Sequence, residues 1–169
     1  TGGLSRPDTG STGDGFSWAQ SLGHTVNEDS SALVPVALKG QWFKELSGTT
    51  LEYVEIGIWQ KNKKLHKSKG RVLLTHFGMT GPTIINMSSK IADALKNGPV
   101  ELSIDFLPSV SEPDLKEQLT EVIELHRNKE IASLLKGYFS KKMIPLFLKE
   151  IGINHKTPGH SITKENRKS

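Results

Sequence analysis

The sequence predicts an α+β fold, in which a small β-barrel or curled mixed sheet carries a strand-turn-helix unit and is followed by a small helical bundle. Residues 51–60 and 100–106 alternate apolar and polar side chains, as half-buried strands do. Residues 70–95 combine a short run of Val and Leu, a turn with two glycines and an apolar helical pattern. The last third of the chain repeats apolar residues at the spacing of short amphipathic helices.

Length and composition exclude several classes of protein. The 169 residues allow one domain or two small ones, with enough chain to bury a real core. The absence of cysteine excludes disulfides, thiolate zinc sites and a cysteine nucleophile. No apolar run approaches the ~20 residues that span a membrane, and no signal peptide is visible, so we expect a cytoplasmic protein without a membrane partner. Because the first residue is Thr1, we expect a processed product or a piece of a longer protein.

The N-terminal residues 1–15 contain five glycines and no periodic apolar pattern, which predicts a loop. The loop has neither the Gly-Lys-Ser/Thr of a Walker motif nor a dinucleotide-binding GxGxxG. We expect Asp14 at or near the N-cap of a short helix over residues 16–22, which Gly23 ends. A second interpretation is that residues 9–15 pack against a phosphate or ring of a cofactor.

The next section predicts short strands. Pro35 makes residues 32–38 an edge or bent strand, and residues 41–46 form a short strand. The alternating strand 51–60 continues into a hairpin turn at residues 61–64, and Leu65 followed by residues 71–75 supplies the returning strand.

The strand at residues 71–75 leads into the helix through a glycine turn at residues 76–81. Pro82 suits the first helical position, because that position needs no N–H group and proline already holds a helical φ. The helix N-terminus can hold an anion or be an ordinary connection. His76, at the strand end, can move a proton near neutral pH, or its ring can close the barrel mouth and bond to the backbone.

The last third predicts three short helices and a polar surface segment. Ser111 is the expected cap of the first helix, with Asp114 at capping-box spacing. Apolar residues between positions 131 and 138 mark the second helix. Pro145 opens the third helix and Gly152 ends it, before the polar residues 155–169.

Other residue types give no separate site. The histidines His24, His155 and His160 lack the spacing of metal ligands, so no metal is expected. No Gly-x-Ser-x-Gly elbow supplies a serine nucleophile. The net charge of +4 includes a basic run at residues 61–69, but no aromatic residues are interleaved with it, so nucleic acid is not the expected partner.

Several motifs in sequence order resemble the BaiN/YhiN-type FAD-dependent oxidoreductases, a family of aminoacetone oxidase-like flavoproteins. Pro35 in Ala-Leu-Val-Pro resembles the end of the family's Pro-Ala-Leu-Val-Pro pattern. In this chain, Ser31 stands in place of the first proline of that pattern. Residues 75–82 resemble its Thr-His-x-Gly-x-Ser-Gly-Pro motif, with Thr80 in place of serine. The first 24 positions carry another set of matching residues: Thr1-Gly2-Gly3-Leu4-Ser5, Pro7, Thr9-Gly10-Ser11-Thr12-Gly13-Asp14-Gly15, Ala19, Gly23 and His24.

The resemblance implies a fragment of a larger flavoprotein. Residues 1–29 are then the terminal strip of a split, Rossmann-like FAD-binding domain. Residues 30–107 are the β-barrel part of an inserted domain, and residues 108–169 are its helical part and tail. The insert is expected to cover the FAD and substrate cleft of the full-length enzyme, with the remaining halves of the FAD domain as its partners. The substrate is a small molecule that the sequence does not identify.

The resemblance also implies roles for single residues. His76 is the expected catalytic group, and FAD is the expected cofactor of the full-length protein. This chain alone is expected to be inactive and not to bind FAD, because it contains no GxGxxG. The alternative is a non-catalytic barrel and helical module that contacts nucleic acid or a protein through basic loops. The remaining implied residues are Thr1, Gly2, Gly3, Thr9, Gly10, Ser11, Gly13, Asp14 and Gly15 along the FAD, and Thr75, Gly78, Thr80 and Gly81 in a loop that faces substrate or flavin.

Overall fold

The computed structural model describes residues 3–4, 7–27 and 33–162 of the chain. The chain divides into two compact units, Thr1–Ser30 and Ser31–Ser169. The predicted roles of Thr1 and Gly2 lie outside the described residues, as do Ser31 and the end of the polar tail. The assignment of the units to an FAD-domain strip and an insert stays a prediction. No helix within the described ranges is both long and apolar enough to cross a membrane.

The first unit contains a turn of 3-10 helix at Pro7–Thr9 and helix α1 at Asp14–Ser21. The N-cap of α1 is Gly13, whose φ of 77° turns the chain into the helix. Asp14 is the first residue of the helix, so it lies next to the N-cap, within the predicted range, but it is not the N-cap itself. Its carboxylate instead accepts a hydrogen bond of 2.8 Å from the Thr12 hydroxyl. Gly23 ends the helix as predicted, with a φ of 85°.

The second unit is built on one five-stranded sheet. All its pairings are antiparallel, in the order β1-β4-β3-β2-β5, so the sheet is not mixed. The α+β prediction, with a curled half-barrel and helices, is confirmed. The strands are β1 (Val36–Ala37), β2 (Thr50–Gln60), β3 (Lys63–Leu74), β4 (Gly78–Thr80) and β5 (Glu101–Asp105).

The long β2–β3 hairpin is the centre of the sheet. Lys61 and Asn62 form its two-residue turn with φ values of 49° and 61°, which is typical of the tight turn that matches strand twist. Strand β3 therefore begins at Lys63, well before the predicted residues 71–75. The sequence conceals this part of the strand because lysines occupy the outward positions, and only Val72 and Leu74 are fully buried.

The predicted strand at residues 41–46 is wrong, because this segment forms helix α2. Phe43 and Leu46, three positions apart, are both 1% exposed, and this spacing is that of one helical turn. In a β-strand, residues 43 and 46 would face opposite sides, so one of the two side chains would be exposed to solvent. The helices of the second unit are α2 (Trp42–Glu45), α3 (Pro82–Leu95), α4 (Glu112–Leu125), α5 (Ile131–Leu134) and α6 (Met143–Glu150).

Helix α3 begins at Pro82, as predicted, and covers the inner face of the sheet. Its buried residues Ile84, Met87 and Ile91 join the barrel core, which also contains Ile56 and Ile58 of β2. The spacing of three and four residues places the α3 side chains on one face of the helix. Strand β5 alternates exposed and half-buried residues as predicted, so it lies across one edge of this core.

The helical part follows the predicted order with two changes. Ser111 caps α4, since its hydroxyl accepts from the Asp114 backbone N–H at 3.3 Å and donates to the Asp114 carboxylate at 2.7 Å. The second predicted helix is only one α-helical turn, followed by a 3-10 turn at Leu135–Gly137. Helix α6 begins at Met143, two residues before the predicted start at Pro145. The helix accepts Pro145 because a residue in the first turn has no partner within the helix for its backbone N–H.

Helix α6 belongs to two hydrophobic cores. Met143 is buried in the barrel core, and the next residue, Ile144, is buried in a second core among the helices. An aromatic cluster joins the same regions, with ring centroids separated by 5.2 Å for Phe106 and Phe147 and by 4.9 Å for Phe139 and Phe147. The barrel and the helical part therefore pack as one continuous body.

Candidate functional site

The predicted site residues of the second unit lie at the corner that joins β3, β4 and α3. The Thr75 backbone N–H donates to the Gly78 carbonyl at 2.8 Å, and the Gly78 N–H donates to the Thr75 hydroxyl at 3.1 Å. These bonds close a tight hairpin in which His76 and Phe77 form the tip. The prediction of a glycine turn across residues 76–81 is therefore corrected, because its second half is strand β4.

The His76 side chain is exposed at this tip. Its ring meets the edge of Phe77 with a centroid distance of 5.1 Å. Within the described part of the chain, the ring has no hydrogen-bond partner, so it does not bond to the backbone as one interpretation expected. The exposed imidazole can therefore form a hydrogen bond with a group that is not part of the second unit.

Gly78 is required by the close approach of β1. Ala37 lies opposite Gly78 in the antiparallel pairing, and the Leu38 N–H donates to the Phe77 carbonyl at 3.0 Å. A Cβ atom at Gly78 would collide with the Val36 carbonyl oxygen and would lie 2.9 Å from the Ala37 Cα. The glycine therefore holds β1 against the strand that follows the His76 tip.

Thr80 and Gly81 connect this tip to the N-terminus of α3. Thr80 pairs with Leu73 of β3, and Gly81 is the N-cap of the helix with a φ of 100°. A Cβ at Gly81 would lie 3.2 Å from the Arg71 carbonyl oxygen, so the helix begins directly against β3. The structure thus brings Thr75, Gly78, Thr80 and Gly81 into one corner with the histidine.

The glycine loop of the first unit is divided into open and covered positions. Gly10 has a φ of 82°, and a Cβ atom at Gly3, Gly10 or Gly15 would meet no atom of the described residues within 4 Å. Gly13, by contrast, is buried, and a Cβ there would lie 2.5 Å from the Leu4 side chain. The open backbone at Gly10 and Gly15 fits close contact with a flat group, whereas Gly13 serves the local fold. The loop still lacks the glycine motif that holds a pyrophosphate.

Thr9 and Ser11 flank Gly10 within this loop. Thr9 ends the 3-10 turn, where the Gly10 N–H donates to the Pro7 carbonyl at 3.0 Å. The following helix exposes several apolar side chains: Phe16 is 43%, Trp18 57% and Leu22 77% exposed. These apolar side chains are therefore not buried within the described residues.

The basic run of the β2–β3 hairpin is partly paired. Glu55 accepts a hydrogen bond of 3.1 Å from Lys67 and lies 3.7 Å from the Lys69 ammonium group. Lys64 lies over the Trp59 ring at 4.8 Å. The sequence interpretation missed this aromatic neighbour, although the hairpin register pairs the two positions. Two of the five lysines in this run thus share one carboxylate, and a third lies over an aromatic ring.

The Lys67 hydrogen bond holds the pKa of Glu55 below its ordinary value of 4.5, against an opposing effect of desolvation. Because the pKa is lowered by folding, the ionised group stabilises the fold above pH 4.5, and this contribution is lost as the pH falls through the lowered pKa. We expect the stability difference between the native chain and Glu55→Gln to shrink as the pH falls below this value. Urea unfolding across this range measures it.

Glu117→Gln is a matched control, because Glu117 is exposed on α4. Its stability difference from the native chain should not follow the profile of Glu55→Gln. A difference for Glu55→Gln that stays constant from neutral to acid pH would contradict the assigned pairing with Lys67.

No group of three or more potential metal ligands occurs among residues 3–4, 7–27 and 33–162. His155 and His160 lie in the last described segment, where the His160 ring contacts the Arg127 carbonyl at 2.9 Å. The chemistry available at the corner of the second unit is that of an exposed imidazole on a hydrogen-bonded hairpin tip.

Comparison with known proteins gives one family match. The family model described as "HI0933-like protein barrel and H2TH domain" matches residues 30–169. The match covers the strands, the helices and the His76 corner of the second unit.

Three curated proteins are similar to this chain. A 3-dehydro-bile acid delta(4,6)-reductase of Clostridium scindens is 25% identical over 162 residues, covering 95% of this chain and 39% of that protein. A ribosomal RNA dihydrouridine synthase of Escherichia coli is 30% identical over 145 residues, covering 85% and 34%. The Haemophilus influenzae protein of the same name is 25% identical over 153 residues, covering 89% and 35%. The chain thus spans little more than a third of the length of these relatives.

Proposed function

Since the chain belongs to the HI0933-like family, in agreement with its resemblance to the BaiN/YhiN-type flavoproteins, we propose that it covers the flavin and substrate cleft of a larger FAD-dependent oxidoreductase. The observation that carries the proposal is the family match across the whole second unit, including the His76 corner. The apolar side chains that α1 exposes also support the proposal, because such a surface is typically covered by another part of a protein. The rest of the split FAD domain would supply that surface.

The names of the relatives suggest the class of reaction. The names delta(4,6)-reductase and dihydrouridine synthase both fit the addition of two hydrogen atoms across a carbon–carbon double bond. When bound, a reduced flavin supplies a hydride to one carbon of such a bond, and the other carbon needs a proton. We propose this hydride-and-proton addition for the parent of the present chain.

His76 is the residue of this chain proposed to handle the proton. The Thr75–Gly78 hydrogen bonds fix the hairpin, and the ring is exposed at its tip. An imidazole exchanges protons with substrates near pH 7. In this role His76 donates a proton from a ring nitrogen to the substrate carbon, and solvent restores the ring. Thr75, Gly78, Thr80 and Gly81 hold the tip in position.

The glycine loop is proposed to lie along the cofactor. Gly10 and Gly15 offer open backbone, since a Cβ added at either position would have no neighbouring atom within 4 Å, and this suits contact with a planar ring. Gly3, Thr9, Ser11 and Asp14 lie in the same short loop and helix start. Thr1 and Gly2 complete the set that the resemblance implies.

The isolated 169-residue chain is expected not to bind FAD stoichiometrically, because it lacks the GxGxxG that places a pyrophosphate at a helix N-terminus. Titration of FAD followed by flavin fluorescence and calorimetry measures this. Riboflavin serves as the control ligand, because it has the ring without the pyrophosphate. Saturable one-to-one binding of FAD to the chain would contradict the expectation.

The proposed function is tested on the protein expressed from the complete reading frame that contains this chain. We expect the purified protein to show the visible absorption bands of bound flavin, and anaerobic reduction should bleach them. A colourless, folded protein that added FAD does not reconstitute would overturn the proposal.

A further inference from the structure

A cleft of about 400 Å³ opens on the helical part of the second unit, and we refer to it as the helical cleft. Lys136 lies on the 3-10 turn after α5, while Lys141 lies just before α6. His155 follows α6 and lines the same cleft as both lysines. The complete lining consists of Ala132, Lys136, Lys141, Ile144, Pro145 and His155.

The helical cleft concentrates positive charge without a compensating carboxylate in its lining. The side chains of Lys136 and Lys141 form no ion pair or hydrogen bond with any described residue. Two of the hairpin lysines differ, since Lys67 and Lys69 share the carboxylate of Glu55. An anion in the cleft would be attracted by both ammonium groups.

Backbone hydrogen bonds fix the wall that carries His155. The Ala132 N–H donates to the His155 carbonyl at 3.4 Å, and the Ile131 N–H donates to the Thr157 carbonyl at 2.9 Å. A bridge between Glu130 and Pro158 continues the pairing. Because α5 and residues 155–158 are tied together, the histidine and the 3-10 turn that carries Lys136 stay on a common frame.

We propose that the helical cleft binds the phosphate backbone of an RNA substrate. Two lysines and a histidine around an open cleft suit phosphate oxygens, and the apolar surface of Ala132 and Pro145 suits a ribose. Two of the relatives are named ribosomal RNA dihydrouridine synthases, which selects RNA among phosphate-bearing partners. The inference rests on the proposed function in one respect, since it takes RNA as the substrate of the parent oxidoreductase.

The test measures binding of a fluorescently labelled ribosomal RNA hairpin to the 169-residue chain by anisotropy at several salt concentrations. The double variant Lys136→Glu/Lys141→Glu should weaken binding at least about tenfold and reduce the salt slope by about two, one for each lost phosphate contact. The matched control is Lys61→Glu/Lys63→Glu, which makes the same change of charge on the hairpin. We expect the control to keep at least half of the native affinity.

Equal weakening by both double variants would overturn the proposal, because only net charge would then matter. Absence of RNA binding by the native chain at low salt would also overturn it. Circular dichroism checks the fold, and Lys136→Gln/Lys141→Gln replaces the glutamate variant if that one unfolds. The flavin spectrum of the parent protein is measured separately. A flavin-bound parent whose helical cleft does not bind RNA would refute this inference and leave the proposed function intact.

Discussion

Gly78→Ala is expected to lower the free energy of unfolding of the chain by about 1–3 kcal/mol, the usual cost of forcing an extra methyl group into a packed site. The new Cβ would strike the Val36 carbonyl oxygen, and the backbone of Ala37 and Leu38 lies just behind it. None of these atoms belongs to a flexible side chain, so the strain must separate β1 from β4. Urea unfolding followed by circular dichroism measures the loss.

The control for this substitution is Gly137→Ala. A Cβ at Gly137 meets nothing within 4 Å, and the residue is exposed in the 3-10 turn of the helical part. Its stability should remain within about 0.5 kcal/mol of the native chain. If Gly78→Ala were as stable as Gly137→Ala, the pairing of β1 beside the His76 tip would be refuted.

His76→Ala in the full-length enzyme is expected to slow flavin reduction or reoxidation by more than about tenfold while FAD stays bound, because a positioned acid or base typically contributes a rate factor of at least this size. The expected loss is in the chemical step, since the ring is exposed and forms no hydrogen bond with a described residue. Stopped-flow absorption of the flavin measures both half-reactions, and the bound-flavin spectrum measures retention of the cofactor.

Phe77→Leu separates a chemical role of His76 from a structural one. This variant removes the aromatic neighbour at 5.1 Å but keeps the imidazole and the Thr75–Gly78 hydrogen bonds. It should therefore react at nearly the native rate. Unchanged kinetics in His76→Ala, or equal slowing in both variants, would assign the histidine to shaping the hairpin.

The sequence predicts the elements whose signals are local. Pro82 marks the start of α3, and Ser111 with Asp114 marks the start of α4, because a cap or a fixed φ acts within one turn. The early half of β3 is not predictable in the same way, since its outward lysines are stabilised by a partner strand that contributes Glu55. The short α2 resembles a strand in sequence because four residues hold too few positions to separate the two periods.

The candidate site shows the same division between local and distant signals. His76 is identifiable from sequence because it lies at the end of a strand within one continuous motif, although a longer turn is predicted where β4 forms. The helical cleft is not identifiable in this way, because Lys136, Lys141 and His155 come from three separate segments. The docking of residues 155–158 onto the start of α5 fixes His155 beside the segment that carries Lys136.

The position of α6 makes the barrel and the helices one cooperative folding unit. Its consecutive residues Met143 and Ile144 are anchored in different cores, so neither core can melt while the other retains its full set of contacts. Thermal unfolding of this region should consequently occur in a single transition, with no stage in which the barrel survives alone. A phosphate group that tightens the helical cleft would then also raise the resistance of the distant sheet to heat, because both share one unfolding equilibrium.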